Sequence, residues 1–441
     1  MAILVYSTAS AQKSMLVQKA ARIDSLVSTA FDNREFIGTI LVMKHGELLI
    51  NKGYGYRDAT KRSSNDKETI FNIASITKTF TAALIMKLEE SGKISVGEKL
   101  SVYFPGYPNG DEITIGHLLN HSSGIPDYVQ DQQFRNEDQT KPVTTEYMIS
   151  LFRDKPLNFA PGTKFMYSNS RYTLLGYIIE KLTGMSYERA LEEYIFKPIG
   201  MSHTSFGPPA DSADLAKGYA MYFKNFQRAT APVHPTISYS TGAIYSTTGD
   251  LLKWHKALVS GNFLSNQSIS AMYHRGKGNY RFGWFTDSLY SRQRVSHDGN
   301  IHGYKSNINR FPVENTCVIA LSNANNSSVG SIVRNIVNII CDQPFSASLV
   351  DAKEISLPDS LKAAYTGTYR YGSSENQKIS VNLENNTLVL QIPGNKEMKL
   401  EALNANVFRS GSARIEFSGP VKGQYSQVML FNKGEFLGGT K

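Results

Sequence analysis

Three short groups of residues carry side chains that can do chemistry. Ser75-Ile76-Thr77-Lys78 sets a hydroxyl and an amine three apart at the start of a predicted helix, so both lie on one face. A helix N-terminus eases negative charge on the Ser75 oxygen. The Lys78 amine can take the serine proton if burial lowers its pKa. Taken alone, the pattern fits a capped amphipathic helix equally well. Tyr167-Ser168-Asn169 is expected in a loop just ahead of the next helix. A tyrosine beside an ammonium can act as a general base. An asparagine amide can donate to a carbonyl and accept from an amine. His297-Asp298-Gly299 is expected at the end of a strand. His297 can offer hydrogen bonds to a substrate carboxylate or to an attacking hydroxyl. Gly299 lets a substrate backbone lie close to the strand edge.

These groups need elements to hold them. Apolar spacing at Leu16, Ala20, Ile23, Leu26, Val27 and Ala30 predicts a helix over 14–33. Residues 37–44 and 47–50 read as a hairpin about His45-Gly46. Helices are predicted over 75–88, closed by Gly92, over 115–120, and over 172–182, closed by Gly184. Residues 203–240 show little periodicity, and a short helix surrounds Trp254. Strands return at 282–286, 294–297, 304–310 and 317–322, followed by a helix over 329–341. From 357 onward, short alternating runs at regular spacing predict an all-β sandwich or small barrel.

Composition excludes several classes. The chain has 441 residues, long enough to bury a core without staples, and its 19% charged residues are ordinary for a globular protein. Two cysteines cannot build a disulfide framework or a four-thiolate zinc site; Cys317 and Cys341 are either two thiols or one disulfide. The net charge of +9 is not clustered, the longest basic run being Lys61-Arg62, so no nucleic-acid partner is expected. No stretch approaches the ~20 apolar residues of a membrane span. Ala9-Ser10-Ala11 before Gln12 matches the small-x-small pattern of a signal-peptidase site, behind a short apolar run without a basic region. The segment reads either as the tail of a truncated signal peptide, which implies a periplasmic or secreted protein, or as an irregular N-terminus. His117 and His121 stand i,i+4 on a predicted helix but lack a third ligand, so packing and local hydrogen bonds are expected there, not metal.

Order and spacing of the three groups resemble the penicillin-recognising serine hydrolases: class C β-lactamases, related D-alanyl-D-alanine carboxypeptidases and β-lactamase-fold esterases. Ser-x-x-Lys, Tyr-x-Asn and His-x-Gly stand in the family's order, and the stretches 71–78, 113–127, 167–176 and 240–246 match its surroundings. The resemblance runs from about 20 to 341. It implies an α+β fold, with an antiparallel sheet flanked by helices, an all-helical lobe, and the site in a cleft between them. It implies Ser75 as the acyl-forming nucleophile, with Lys78 and Tyr167 sharing the proton traffic. Asn169 would hold the substrate amide, and His297 and Gly299 would line the substrate. The main-chain N–H groups of Ser75 and Asn300 would form the oxyanion hole. No cofactor or metal is called for, and the partner is a small-molecule or peptide substrate.

Where many β-lactamases carry Lys in the third motif, this chain has His297, and Asp298 replaces a small hydroxyl residue. A neutral imidazole beside a carboxylate disfavours an anionic substrate. The expected activity is hydrolysis of an amide or ester, whether β-lactam, D-amino-acid peptide or small ester; the alternative is a non-catalytic ligand sensor of the same fold. Arg281 and Arg294 are expected on a solvated face. The domain reading is 1–12 leader, 13–345 hydrolase-like domain, 346–356 linker and 357–441 β domain. The last resembles lipocalin-like modules through Tyr365-Thr-Gly-Thr-Tyr369 and is expected to be structural.

Overall fold

A seven-stranded antiparallel sheet underlies the site. The computed structural model describes residues 2–32, 35–210, 212–223, 226–274, 276–325, 327–345, 354–370, 377–403, 405–411, 413–421, 424–432 and 435–440. The chain divides into two units, Met1–Pro344 and Phe345–Lys441. Most of the expected linker, residues 346–353, lies outside the described residues.

The first unit opens with helix α1 (Ala2–Asp32), which runs unbroken through the Ala9–Gln12 segment. Strands β1 (Gly38–Lys44) and β2 (Glu47–Tyr54) form the predicted hairpin. Helix α2 (Thr77–Glu90) follows a 3₁₀ turn over Ala74–Ile76. Then come α3 (Asn169–Thr183), α4 (Pro235–Gly242) and α5 (Thr248–Ser260). Strands β3 (Tyr280–Arg281), β4 (Trp284–Leu289), β5 (Arg292–Ile301), β6 (Tyr304–Phe311) and β7 (Thr316–Ser322) complete the sheet, in the order β3-β4-β5-β6-β7-β1-β2. Helix α6 (Val329–Ile340) buries its apolar stripe against β6, β7 and α1, while α5 packs on β1 and β7. Covered in this way, β7 is buried along its whole length. No helix among the described residues is long and apolar enough to cross a membrane.

Helix α2 is not the amphipathic helix its spacing allows. It is buried from Thr77 to Met86, has no side-chain cap, and packs between α3 and α4. A helix with apolar neighbours on every side belongs to a core. Two elements differ from the sequence reading. Asn169 is the first residue of α3, not part of a loop. The third motif lies inside the ten-residue β5, not at a strand end. The stretch without periodicity holds α4 and a small hairpin of Tyr219–Phe223 with Phe226–Ala229.

The second unit is a closed eight-stranded barrel, which decides between sandwich and barrel. Its strands are β8 (Gly367–Arg370), β9 (Lys378–Glu384), β10 (Thr387–Gln391), β11 (Met398–Ala402), β12 (Val407–Ser410), β13 (Ala413–Val421), β14 (Gln424–Asn432) and β15 (Glu435–Thr440). Each pairs with the next, and β8 meets β15 at Arg370 and Thr440. Tyr365, Tyr369, Phe408 and Phe417 anchor its core, and the rings of Tyr365 and Tyr425 stack at 4.6 Å.

Candidate active site

The turn that carries Ser75 is held from three sides. Asn72 Oδ1 accepts from the Ala74 N–H at 2.7 Å, which stabilises Ala74 in the left-handed region at φ 46°. Ile73 N–H donates to Ile244 O at 2.9 Å, and the Ser306 hydroxyl on β6 donates to Ile73 O at 2.7 Å. The close approach of β5 to this turn needs Gly299. A Cβ there would lie 2.4 Å from Ser306 Oγ, 2.6 Å from Ile73 O and 2.9 Å from Ala74 Cβ. The glycine therefore makes room for the serine turn itself, a different reason from the substrate contact expected of it.

Lys78, one turn into the helical segment, is fully buried. Its Nζ lies 3.0 Å from Ser75 Oγ, 2.8 Å from Asn169 Oδ1 and 2.8 Å from Thr241 O on α4. Burial pushes its pKa down to about 7, against a smaller upward pull from Asp127 and Asp298. Two of its three partners are carbonyl oxygens that only accept, so they take two N–H bonds. The third direction faces the serine hydroxyl, where a neutral amine presents its lone pair.

Asn169 is engaged at both ends. Its Oδ1 accepts from Lys78, and its Nδ2 donates to both oxygens of Asp127, at 3.1 and 3.3 Å. This network fixes the amide orientation, because a carboxylate accepts and the Lys78 N–H donates. Asp127 also accepts the Asn169 backbone N–H at 3.1 Å, so it occupies the positive end of α3. The sequence reading assigned Asp127 no role, although it closes the matched stretch 113–127; its only signal was an acid following Gly-Ile-Pro.

Tyr167 packs its ring 5.0 Å from Lys78 Nζ. Its hydroxyl is buried and lacks a hydrogen bond of normal geometry among the described residues, although Ser75 is close enough to ease its ionisation. Burial outweighs that effect and holds the phenol protonated well above its ordinary pKa.

His297 differs from expectation. It is 2% exposed, and both ring nitrogens are engaged. Nδ1 meets the Asp298 carbonyl at 2.7 Å and Nε2 meets the Tyr280 hydroxyl at 3.2 Å. A carbonyl only accepts, so Nδ1 carries the proton and Nε2 receives the tyrosine O–H. Burial pushes the imidazole pKa down to about 3, with Lys78 acting in the same direction. Nothing in the sequence marked Tyr280 as its partner. Asp298, open on its outer side but crowded by protein on the others, has its carboxyl pushed up by that crowding.

Asn300 is placed by hairpin arithmetic. The two-residue turn His302-Gly303 closes on the pair Ile301/Tyr304, and the register runs unbroken back to Val295/Arg310. Hydrogen-bonded pairs alternate with non-bonded ones along an antiparallel ladder. The Asp298 and Asn300 N–H groups therefore point away from β6. Strand β4 pairs only with residues 292–296 of β5, so that edge is open from His297 onward. The Asn300 side chain accepts from Asn325 Nδ2 at 3.1 Å.

The remaining candidates lie elsewhere in the network. His117 closes a capping box with Thr114, their backbone and side-chain bonds measuring 3.1 and 3.2 Å. Arg281 donates to Ala271 O at 2.9 Å, and Arg294 pairs with Asp287. Cys317 and Cys341 are free thiols.

A sheet-and-helix unit in which Ser-x-x-Lys and Tyr-x-Asn converge beside an open strand edge defines a serine β-lactamase-type fold. The chain belongs to the Beta-lactamase family, whose model matches residues 23–338. It is similar to Penicillin-binding protein 4* of Bacillus subtilis (strain 168), 29% identical over 431 residues, spanning 92% of this chain and 95% of that protein. It also resembles the octameric penicillin-binding protein homologue from Pyrococcus abyssi, with a TM-score of 0.68 at 25% identity over 95% of this chain and 99% of that one. The fold is shared with the D-amino acid amidase from Ochrobactrum anthropi SV3, with a TM-score of 0.65 at 23% identity over 74% of this chain and 99% of that one.

Proposed function

We propose that this protein is a serine hydrolase that cleaves an amide or ester through an acyl-enzyme on Ser75. The observation that carries the reading is Lys78 Nζ at 3.0 Å from Ser75 Oγ, with its other hydrogen-bonding directions taken by Asn169 and Thr241. Ser75 Oγ attacks the substrate carbonyl carbon and its proton passes to Lys78. The oxyanion is met by the Ser75 and Asn300 main-chain N–H groups. Tyr167, protonated at rest, gives its proton to the leaving amine or alkoxide and is refilled from Lys78. Water then attacks the ester carbon, gives up a proton to the same pair, and releases the acid and Ser75.

The substrate is a small ester or D-amino-acid peptide more readily than a β-lactam. His297 is neutral and turned inward, and Asp298 offers a carboxylate at the strand where a β-lactam carboxylate would need a cation. An acyl nitrophenyl ester should be turned over faster than nitrocefin, and the reverse ranking would overturn this assignment. Fluorophosphonate or fluorescent penicillin followed by intact mass should show one adduct, absent in Ser75→Ala at an unchanged circular dichroism spectrum. A wild-type chain that neither probe labels is instead a ligand sensor. Export remains part of the proposal through the Ala9-Ser10-Ala11 pattern, and N-terminal sequencing of the secreted protein tests it.

A further inference from the structure

His121 belongs to none of the three motifs and to no step above, yet it is 0% exposed and lies against the catalytic tyrosine. Its backbone sits in the left-handed region at φ 56°, a conformation that histidine and asparagine tolerate better than most residues. That geometry lets it hold the chain on both sides of Tyr167. Met166 N–H donates to His121 O at 3.0 Å, and Ser168 N–H donates to His121 Nδ1 at 3.3 Å. The imidazole ring lies 4.3 Å from the Tyr167 ring, 4.6 Å from Tyr280 and 5.0 Å from Tyr172. Because Nδ1 accepts, Nε2 carries the proton, and this buried N–H has no hydrogen-bond partner among the described residues. A histidine kept with one nitrogen unsatisfied is poorly explained by packing alone, since an apolar ring would avoid that loss.

We propose that His121 is a positioning residue for the reaction, setting Tyr167 over Ser75 through the Ser168 N–H bond and ring contact. The proposal rests on the serine-hydrolase reading. It requires that losing the acceptor displaces the tyrosine and slows proton transfer, while substrate binding is spared. A displacement on the order of 1 Å at such a group slows chemistry about 100-fold.

Three variants of the full chain separate this role from filling space. His121→Asn places an amide oxygen where Nδ1 stood and suits the left-handed backbone. His121→Gln places its amide nearer Nε2, and His121→Phe keeps a ring without an acceptor. With an acyl nitrophenyl ester, Gln and Phe should lower kcat about 10- to 100-fold with little change in KM. Asn should retain most of kcat, and the rate of Ser75 labelling by fluorophosphonate should follow the same order. Equal losses in all three variants, no loss in any, or losses confined to KM would overturn the proposal. If the phenylalanine variant does not fold, Asn against Gln decides. A wild-type chain that is never labelled overturns the hydrolase reading and this inference together, whereas labelling at the wild-type rate in every variant overturns this inference alone.

Discussion

An amine with an ordinary pKa stays protonated at neutral pH and cannot take a proton from serine. Lys78 escapes that constraint because it is buried and its pKa falls to about 7. It must be neutral to act as a base, so acylation should rise with pH through about 7 and level off above. Below the limb, the rate should fall about tenfold per pH unit. Single-turnover acylation by a nitrophenyl ester between pH 5 and 9 measures this, and a flat profile across that range would sink the assignment. Spacing alone joined Ser75 to Lys78 and Tyr167 to Asn169; only the family resemblance joined the two pairs, and the structure does bring the four side chains together. Asp127, Thr241 and Tyr280 were not legible, because each reaches the site from an element distant in sequence and no local spacing ties it to the three motifs. His297 was legible as a site residue, but its orientation was not. Which way an imidazole turns depends on Tyr280, seventeen positions away, and on the burial of both.

At the scale of elements, the site depends on how closely β5 approaches the serine turn. Gly299 sets that distance. Gly299→Ala would bring a methyl within 2.6 Å of Ile73 O, a backbone atom with little freedom to move. Overpacking of this kind typically costs about 1–3 kcal/mol, and here it would also push the strand edge away from Ser75. We expect a lower thermal midpoint together with slower acylation. A variant that loses stability but acylates at the wild-type rate would separate the strand edge from the chemistry. Helices α2 and α3 were readable from the glycines that stop them, Gly92 and Gly184, and the sheet strands from their apolar runs except the two-residue β3, which was missed. Helix α4 was not readable. It is eight residues long and broken at Tyr239, with φ 33° and ψ −128°, so it has no period to detect. Its value lies in the Thr241 carbonyl it presents to Lys78. The barrel strands were readable up to β14. Strand β15, Glu-Phe-Leu-Gly-Gly-Thr, was missed because paired glycines read as a turn.

At the scale of the whole molecule, the first unit buries three imidazoles whose pKa values burial pushes down, and this sets its response to acid. His121 and His297 are two. His255 is the third, 0% exposed between α5 and the sheet. Arg310 Nε donates to its Nδ1 at 3.1 Å, and its Nε2 meets Asn315 Oδ1 at 3.2 Å. Burial and the Arg310 charge push its pKa down to about 3 from 6.5. Between those values the unfolded chain binds a proton that the folded chain refuses. Stability should therefore rise with pH across this window and be lost as pH falls from about 6.5 toward 3. At pH 4.5 a single such histidine accounts for about 2–3 kcal/mol. His255→Asn keeps an acceptor for Arg310 and removes the titrating group. Both tryptophans, Trp254 and Trp284, are buried in the first unit, so their fluorescence follows its unfolding and not that of the barrel. Urea unfolding followed this way at pH 7 and pH 4.5 should show a smaller difference in the variant than in the wild type, even if the variant is weaker at pH 7. An unchanged difference would move the acid sensitivity to His121, His297 and the carboxylates.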